Sequence, residues 1–395
     1  MGCSATKCCA TKCCCGETVV DKSSCGETLV FADKNYDFRI PALLYVKEWN
    51  TFLAFAEKRT STNDADATYL VMRKGTWQPD CSLQWFPRVD LMKATILGYR
   101  TMNPCPVFER NSKTLFLFFI CIEGNTLEWN LRPGQTRLCY VTSTDCGETW
   151  SDLTDLTSSV MDSSFTNYQT FAVGPGHGIQ LSSGQLLVPA YVKKVKSGES
   201  VKTHSLVLRR EDQHTWKAGQ PITLESGECQ LAEVSDGEGS TQVFLNARST
   251  GAPEPRVEAL SDDGGASFTL LNQLTLEERP HGCQGSVLGF PASDIPAGGG
   301  GSSETALLFS HPTATTKGKD WDRLDLGVYL RKSLQDDNPW GKPHIIHEGA
   351  SGYSDLTCCE EEGHFGCLME CGHGERLQIV FKEINHSDVD RGEAV

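Results

Sequence analysis

An all-β fold, a six-bladed propeller, is what this sequence predicts, and three observations predict it. Short β-branched and aromatic runs follow one another from residue 36 to residue 384, punctuated by Gly, Asp, Asn and Pro. Nothing of helical period is long enough to compete, since 153–160 offers one turn at most. An eight-residue pattern also repeats: Ser143 to Trp150 reads S-x-D-x-G-x-T-W, and Ser261 to Phe268 reads the same with Phe in the last place. A decayed copy, Arg209 to Trp216, lies between them, and the three aromatic ends stand roughly fifty to seventy residues apart, a period that suits a four-stranded unit with insertions. About 350 residues divided by that period give six units.

The chain opens on a segment of its own kind, 1–35. Seven of its 18 cysteines fall in the first 25 residues, ATKCC occurs twice in succession, and CGETVV is echoed by CGETLV. Three readings compete for this arm. Met1-Gly2-Cys3-Ser4-Ala5-Thr6 fits acylation of Gly2, with Cys3, Cys8 and Cys9 as neighbouring thioester sites, and two lipids would hold where one binds reversibly. Paired thiolates could instead take a soft metal, but no histidine or second spaced pair completes a zinc site. The third reading is a duplicated tail without a role. Lipidation leads.

The body, 36–384, justifies its strands one by one. Runs at 68–72, 115–122, 186–192, 205–209, 242–246, 306–309, 327–330 and 378–382 are each bounded by turn residues. The repeated pattern makes sense as a hairpin turn. Asp145 and Asp263 would accept backbone N–H groups, Gly147 and Gly265 would take the left-handed position, and Trp150 and Phe268 would plug the turn onto the sheet. Lysine-rich 193–202 and glycine-rich 291–303 read as loops. Residues 385–395 form a tail.

Charge narrows the partners. Lys and Arg number 36 against 51 Asp and Glu, a net charge of -15, which argues against nucleic acid. An anionic small substrate remains open wherever a few arginines converge. The longest apolar run, 115–122, has eight residues where a membrane span needs roughly 20. The front shows no secretory pattern, so synthesis in the cytosol is expected, where the eleven remaining cysteines serve as small hydrophobes.

A few residues could carry chemistry. Arg39 sits between two apolar neighbours in FRIP, Arg248 ends VFLNAR and Arg323 precedes LDLGVY. A guanidinium offers a planar fork that grips a carboxylate bidentately, and three forks could hold one carboxylate from several sides. Tyr353, in GYSDL, is a poor nucleophile unless a base takes its proton, and Glu228 stands in an otherwise uncharged stretch. Taken singly, each is more often a surface arginine, a core tyrosine or a surface glutamate.

The chain resembles the animal exo-α-sialidases, most of all their membrane-associated, ganglioside-cleaving branch. The resemblance spans residues 36–384 and rests on FRIPALLYV, TFLAFAEKR, RTMNPCPVFE, LFLFFICIEG, RLCYVTSTDCGETW, TFAVGPGHGIQL, HGCQGSV, YSDL and EEEGHFGCLMECG. It implies that Arg39, Arg248 and Arg323 clamp the sialic acid carboxylate and that Glu370 orients Arg39. It implies further that Tyr353 is the nucleophile, Glu228 its activating carboxylate, Asp64 the acid and base, and Arg59 an added pocket arginine. Glu128 and Tyr191 would line the N-acetyl and glycerol side. Sialic acid bears a carboxylate on its anomeric carbon, so a neutral phenol avoids the repulsion a carboxylate nucleophile would meet; such glycosidases are the recognised exception to the two-carboxylate scheme.

Three departures stand out: Val192-Lys193 follows Tyr191 where a second pocket tyrosine is expected, the central box is eroded, and TKGKD (316–320) lengthens the approach to Arg323. The resemblance therefore implies an exo-α-sialidase of retaining mechanism acting on gangliosides and other sialylated oligosaccharides and glycoproteins, without cofactor or metal. Association with the plasma membrane or endosomes through the acylated arm is expected. The alternative is a catalytically inactive, sialoside-binding propeller, which would keep the arginines and lose Tyr353, Glu228 or Asp64; a protein-interaction propeller of unrelated function is a third class.

Overall fold

The computed structural model describes residues 26–390, apart from positions 81, 214 and 273 and the segments 161–167, 195–201, 251–254, 296–303, 315–322, 336–339 and 373–376. Gly2, Cys3, Cys8 and Cys9 lie outside the described residues, as do 316–320 and most of the two expected loops.

The described strands form antiparallel meanders in a propeller-like arrangement. The first sheet runs Asp37–Val46, Thr51–Arg59, Ala67–Trp77, Leu83–Trp85, with Val89–Asp90 also on Ala67–Trp77. The second runs Tyr99–Glu109, Thr114–Glu123, Thr136–Ser143, Thr154–Asp155. The third is Tyr168–Val173, Leu186–Lys194, Lys202–Arg210, Trp216–Ala218, and the fourth is Ser226–Ser235, Thr241–Ser249, Val257–Ser261, Thr269–Leu270. A seven-stranded sheet completes the set, through Ser286–Pro291, Thr305–Ala314, Leu324–Arg331, the long His344–Cys358, His364–Cys371 and Gln378–Asn385 to Thr28–Phe31.

Apolar side chains fill the spaces between successive sheets. The strand Thr114–Glu123 shows how. Leu115, Leu117, Phe119 and Cys121 pack toward the first sheet, while Phe116, Phe118, Ile120 and Ile122 pack toward the third. With both faces covered, period-two alternation of polar residues has no use, so the run is apolar throughout. Further clusters join the third sheet to the fourth and the fourth to the seven-stranded sheet. Val30, Phe31 and Phe381 meet Phe38, Leu43 and Phe52, which joins the last sheet to the first.

Two boundaries differ from expectation. Thr28–Phe31 pairs with Gln378–Asn385, so the sheets begin before residue 36, and the second CGETLV copy supplies this strand. At the other end the last strand reaches Asn385, and a short helix, His386–Asp390, buries Val389 against the core. Position 385 therefore does not begin a tail. The expected single helical turn is present at Thr157–Val160.

Both repeated boxes fold alike. Asp145 Oδ1 accepts from Thr149 N at 2.9 Å and Oδ2 from Thr149 Oγ1 at 2.6 Å; Asp263 receives Ser267 N and Oγ at the same two distances. Gly147 and Gly265 have φ of 75° and 80°. Trp150 packs edge-on against Phe55, and Phe268 packs against the cluster between the third and fourth sheets. In the eroded copy Asp212 Oδ1 still accepts from Thr215 N at 2.8 Å, and Trp216 is buried on Phe116 and Phe118. The turn wore down while the plug stayed.

Polar side chains meet where the first strands of the sheets converge. Asp355 accepts from Leu43 N at 2.7 Å and Ser286 Oγ at 2.8 Å and pairs with His177 Nδ1 at 2.8 Å. Those three partners come from three other parts of the chain, which ties the inner edges together just beneath residue 353.

Candidate active site

Irregularities in the inner strands carry the site. Pairing slips between Arg39 and Ala42, Met102 and Cys105, Ser226 and Cys229, and Ser351 and Ser354. Such bulges re-aim side chains, and Arg39, Asn103, Glu228 and Tyr353 stand at or within these four. Ile40 and Asn103 adopt φ of 60° and 57°, uncommon for any residue with a Cβ and costly for a β-branched one. Each is held by a buried carboxylate: Ile40 N donates to Glu370 Oε1 at 2.9 Å, and Asn103 N donates to Glu57 Oε1 at 2.7 Å.

Glu370 does more than orient Arg39. It accepts from Arg39 Nε at 3.1 Å, from Ile40 N and, through Oε2, from Tyr353 N at 3.1 Å. One carboxylate thus fixes an arginine and the backbone of the tyrosine. A Cβ on Gly352 would collide with Glu370 Oε2, which explains the glycine before Tyr353. Burial pushes the Glu370 carboxyl up, but Arg39 and the two N–H donors bring it below its ordinary value.

Tyr353 is 7% exposed. Its hydroxyl donates to Glu228 Oε1 and accepts from Arg248 Nη1 at 3.2 Å, while the same Nη1 reaches Glu228 Oε2 at 2.9 Å. The guanidinium groups of Arg39 and Arg323 stand 5.3 and 5.4 Å from the centre of its ring. Burial, and then the charge of Glu228, hold the phenol well above its ordinary value in spite of the arginines. The resting group is a neutral phenol hydrogen-bonded to a base.

The three arginines differ in how they are neutralised. Arg39 pairs with Glu370 and Arg248 with Glu228. Arg323 donates from Nη2 to the Gly282 carbonyl at 2.8 Å, and no ion pair to it is found among the described residues. Asp325, two residues on, sits at φ 56° with Oδ1 accepting from Gly349 N at 2.7 Å, which fixes the strand start behind Arg323.

Asp64 opens a single turn after Arg59, with 43% of its side chain exposed. Arg59 Nη1 donates to its Oδ1 at 2.5 Å and Arg39 Nη1 stands 3.5 Å away. Burial raises the Asp64 carboxyl, and Arg59 and Arg39 bring it below its ordinary value. Asp64 is therefore held as the carboxylate, with Arg59 the larger of the two influences.

Tyr191 Oη donates to Glu128 Oε1 at 3.3 Å, and Lys193 Nζ lies 3.4 Å from the same oxygen. Lys193, at the place of the expected second tyrosine, holds the wall carboxylate with a cation instead. All ten residues expected at the site thus fall into two contacting groups, eight around Tyr353 and Arg39 and the Glu128–Tyr191 pair. Tyr191 lies close enough for Glu228 and Tyr353, after burial, to raise its phenol.

Sequence reasoning missed Glu57 and Asn103. Glu57 is fully buried, binds Arg59 Nε at 2.9 Å and Nη2 at 2.5 Å, and so fixes the arginine that holds Asp64. The signal was available: an acid inside TFLAFAEKR, where every position is buried, must have a partner. Asn103 gave none, because its part is played by backbone conformation.

Comparison with known proteins points to one family. The family described as BNR repeat-like domain matches residues 50–367. The chain is 42% identical to Sialidase-3 of Bos taurus over 388 residues, 87% of this chain and 88% of that protein. It is 41% identical to Sialidase-3 of Homo sapiens over 397 residues, 90% and 91% of the two chains. Among solved structures it resembles the Hadza microbial sialidase Hz136, with TM-score 0.71 and 23% identity, covering 89% of this chain and 66% of that one. This chain therefore spans just under two thirds of that protein.

Proposed function

The chain belongs to the sialidase family, and from that premise we propose that it is a retaining exo-α-sialidase whose nucleophile is Tyr353 and whose acid and base is Asp64. The observation that carries the reading is the Arg248–Glu228–Tyr353 contact: a base hydrogen-bonded to a buried phenol, bridged by a guanidinium that also faces the pocket.

The steps follow from the side chains. Arg39, Arg248 and Arg323 take the substrate carboxylate. Tyr353 Oη attacks the anomeric carbon as Glu228 accepts its proton, and Asp64 gives a proton to the departing glycosidic oxygen. Water, deprotonated by Asp64, then breaks the tyrosyl–sugar bond, and the proton on Glu228 returns to the phenol. Two displacements give net retention.

The fold reading goes with it. The long His344–Cys358 strand pairs through its first half with Leu324–Arg331 and through its second with His364–Cys371. Counting the seven-stranded sheet as two units joined there makes six blades, with aspartate boxes at the rim turns. Residues 1–25 are the proposed anchor, acylated at Gly2 and at Cys3, Cys8 or Cys9, which would bring the pocket to gangliosides at the plasma membrane or endosome surface. Glycoproteins and free oligosaccharides are the other substrates of this reading.

The test has two arms. Hydrolysis of a fluorogenic α-sialoside followed by proton NMR should show the α-anomer of sialic acid first, and incubation with a 2,3-difluoro sialic acid should leave a 3-fluorosialyl group on Tyr353, the reagent's mass less HF, as the anomeric fluoride departs. An inverted product, or an adduct elsewhere, overturns the mechanism. Mass spectrometry of the N-terminal peptide from native cells tests the anchor, and an unmodified peptide removes it.

A further inference from the structure

The loop 277–283 is joined to two of the pocket arginines through backbone carbonyls. Arg248 Nη2 donates to the His281 carbonyl, and Arg323 Nη2 donates to the Gly282 carbonyl at 2.8 Å. Both carbonyls belong to left-handed residues, His281 at φ 62° and Gly282 at φ 68°. A Cβ on Gly282 would stand 2.6 Å from Arg248 Nε, so the loop lies directly against that side chain. A carbonyl positions a guanidinium only as well as its own peptide is fixed.

The His281–Gly282 peptide is held in part by the loop itself, Gly282 N donating to the Arg279 carbonyl at 2.7 Å, and the loop as a whole is anchored by a buried carboxylate outside the pocket. Glu278, with 3% of its side chain exposed, accepts from Arg279 N at 3.0 Å and Cys283 N at 3.2 Å through Oε1. These two bonds grip the loop on either side of His281 and Gly282. Through Oε2 it accepts from Ser249 N at 3.1 Å, the residue after Arg248, and from Arg256 Nη1 at 2.8 Å. Arg256, fully buried, also donates from Nη1 to the Cys283 carbonyl at 2.7 Å and from Nε to Asn246 Oδ1 at 2.7 Å. His311 Nε2 stands 3.1 Å from Glu278 Oε1. Burial would raise the Glu278 carboxyl, yet Arg256 and His311 bring it down to about 2, while burial depresses His311 to about 4.

We propose that Glu278, backed by Arg256, is a positioning residue for the carboxylate clamp: it sets the His281 and Gly282 carbonyls and, through them, the aim of Arg248 and Arg323. The inference rests on the proposed sialidase reading of the site. It explains why the cluster is charged where an apolar plug would fill the space, since an apolar plug could not hold four backbone and side-chain donors at one point.

The test compares two ligands of one shape, 2-deoxy-2,3-dehydro sialic acid and its C1 carboxamide, in Kd measurements on the full chain. The wild-type protein should prefer the carboxylate. Glu278→Gln should narrow that preference by about tenfold or more, the scale of a charge-assisted hydrogen bond, with affinity for the carboxamide changed much less. A merely destabilised protein would lose active fraction for both ligands and keep the ratio, so an unchanged ratio overturns the inference. Arg256→Lys, which keeps the charge and alters the bond to the Cys283 carbonyl, should narrow the ratio less. It carries the test if Glu278→Gln fails to fold, and failure of both to fold would make the cluster a stability element and overturn the proposal. A wild-type protein without carboxylate preference would instead refute the sialidase reading of the site itself.

Discussion

The box turns and the pocket side of the sheets are held in opposite ways. The Asp145 and Asp263 turns close on themselves with bonds between residues two and four apart. On the pocket side, Arg39 reaches Glu370 across 331 positions, Tyr353 reaches Glu228 across 125 and Arg248 reaches Tyr353 across 105. A local turn needs only its own residues to be right. The pocket needs every sheet in place before any of its bonds exist, and it stores uncommon backbone at Ile40 and Asn103 that those distant partners hold down. The boxes thus serve stability, and the pocket spends some of it.

That contrast can be broken most sharply at Tyr353. Tyr353→Phe should leave the fold and its melting temperature nearly unchanged while turnover of a fluorogenic sialoside falls by roughly 10^3-fold or more, the scale of losing a covalent nucleophile. Comparable turnover would remove Tyr353 from the mechanism.

Next in size is the clamp. Arg323→Met deletes the guanidinium that pairs with no carboxylate among the described residues and should weaken a sialic acid analogue by about 1.5–3 kcal/mol. Arg39→Lys keeps the charge and loses the planar fork. Calorimetric titration should rank it between Arg323→Met and the parent. Glu370→Gln sharpens the comparison, because Glu370 serves both Arg39 and the Tyr353 backbone. It should raise KM and lower kcat together; a change in KM alone would mean that only Arg39 depends on it.

Asp64→Ala should cost natural sialosides far more than aryl sialosides, whose leaving groups need little protonation. Equal losses would show that Asp64 does not supply the proton.

The smallest effects belong to the box turns. Asp145→Ala should cost about 1 kcal/mol of stability in urea titration and leave kcat/KM where it was. Hydrogen bonds from Thr149 hold Asp145 at about 2, and those from Ser267 and Ser261, against the effect of burial, hold Asp263 at about 2, below the ordinary 3.8. Their contribution is therefore complete above about pH 4 and lost as pH falls toward 2. Asp145→Asn should flatten the stability curve within that window, and an unchanged acid limb would assign the loss to other carboxylates.

What could be read from the sequence follows the same division. The boxes, the strand runs and the single turn near 157–160 are local, so pattern alone finds them, and the plug at Trp216 survives even where the box has worn away. Of the pocket, pattern alone offered five oddities: Arg39 between apolar neighbours in FRIP, Arg248 and Arg323 beside strand-like runs, Tyr353 in GYSDL, and Glu228 in an otherwise uncharged stretch. Their convergence came from resemblance, because no spacing rule brings residues 39, 228 and 353 to one point. Glu57 was legible as an acid in a wholly buried strand. Glu278 was not, since ERPHGC looks like an ordinary surface turn until Arg256 and Ser249 are seen beneath it. The start of the body was misplaced because four residues, Thr28–Phe31, join a sheet whose other strands lie at the far end of the chain.

That pairing sets a schedule for synthesis. Strands within each meander meet neighbours made moments earlier, so most of the molecule can assemble as it leaves the ribosome. Thr28–Phe31 must wait, because Phe381, which Thr28 faces, lies far along the chain and is translated after all the strands between them. Until then Val30 and Phe31 have no cover, and Phe38 and Phe52 lack Phe381. The waiting edge is a natural handle for a chaperone, and a place where a second nascent chain could dock in error. The cost of the delay grows only with the logarithm of the loop to be closed, so it falls on timing far more than on final stability. A ribosome stalled just before Gln378 therefore carries the other strands of the meanders without the one that receives Thr28–Phe31.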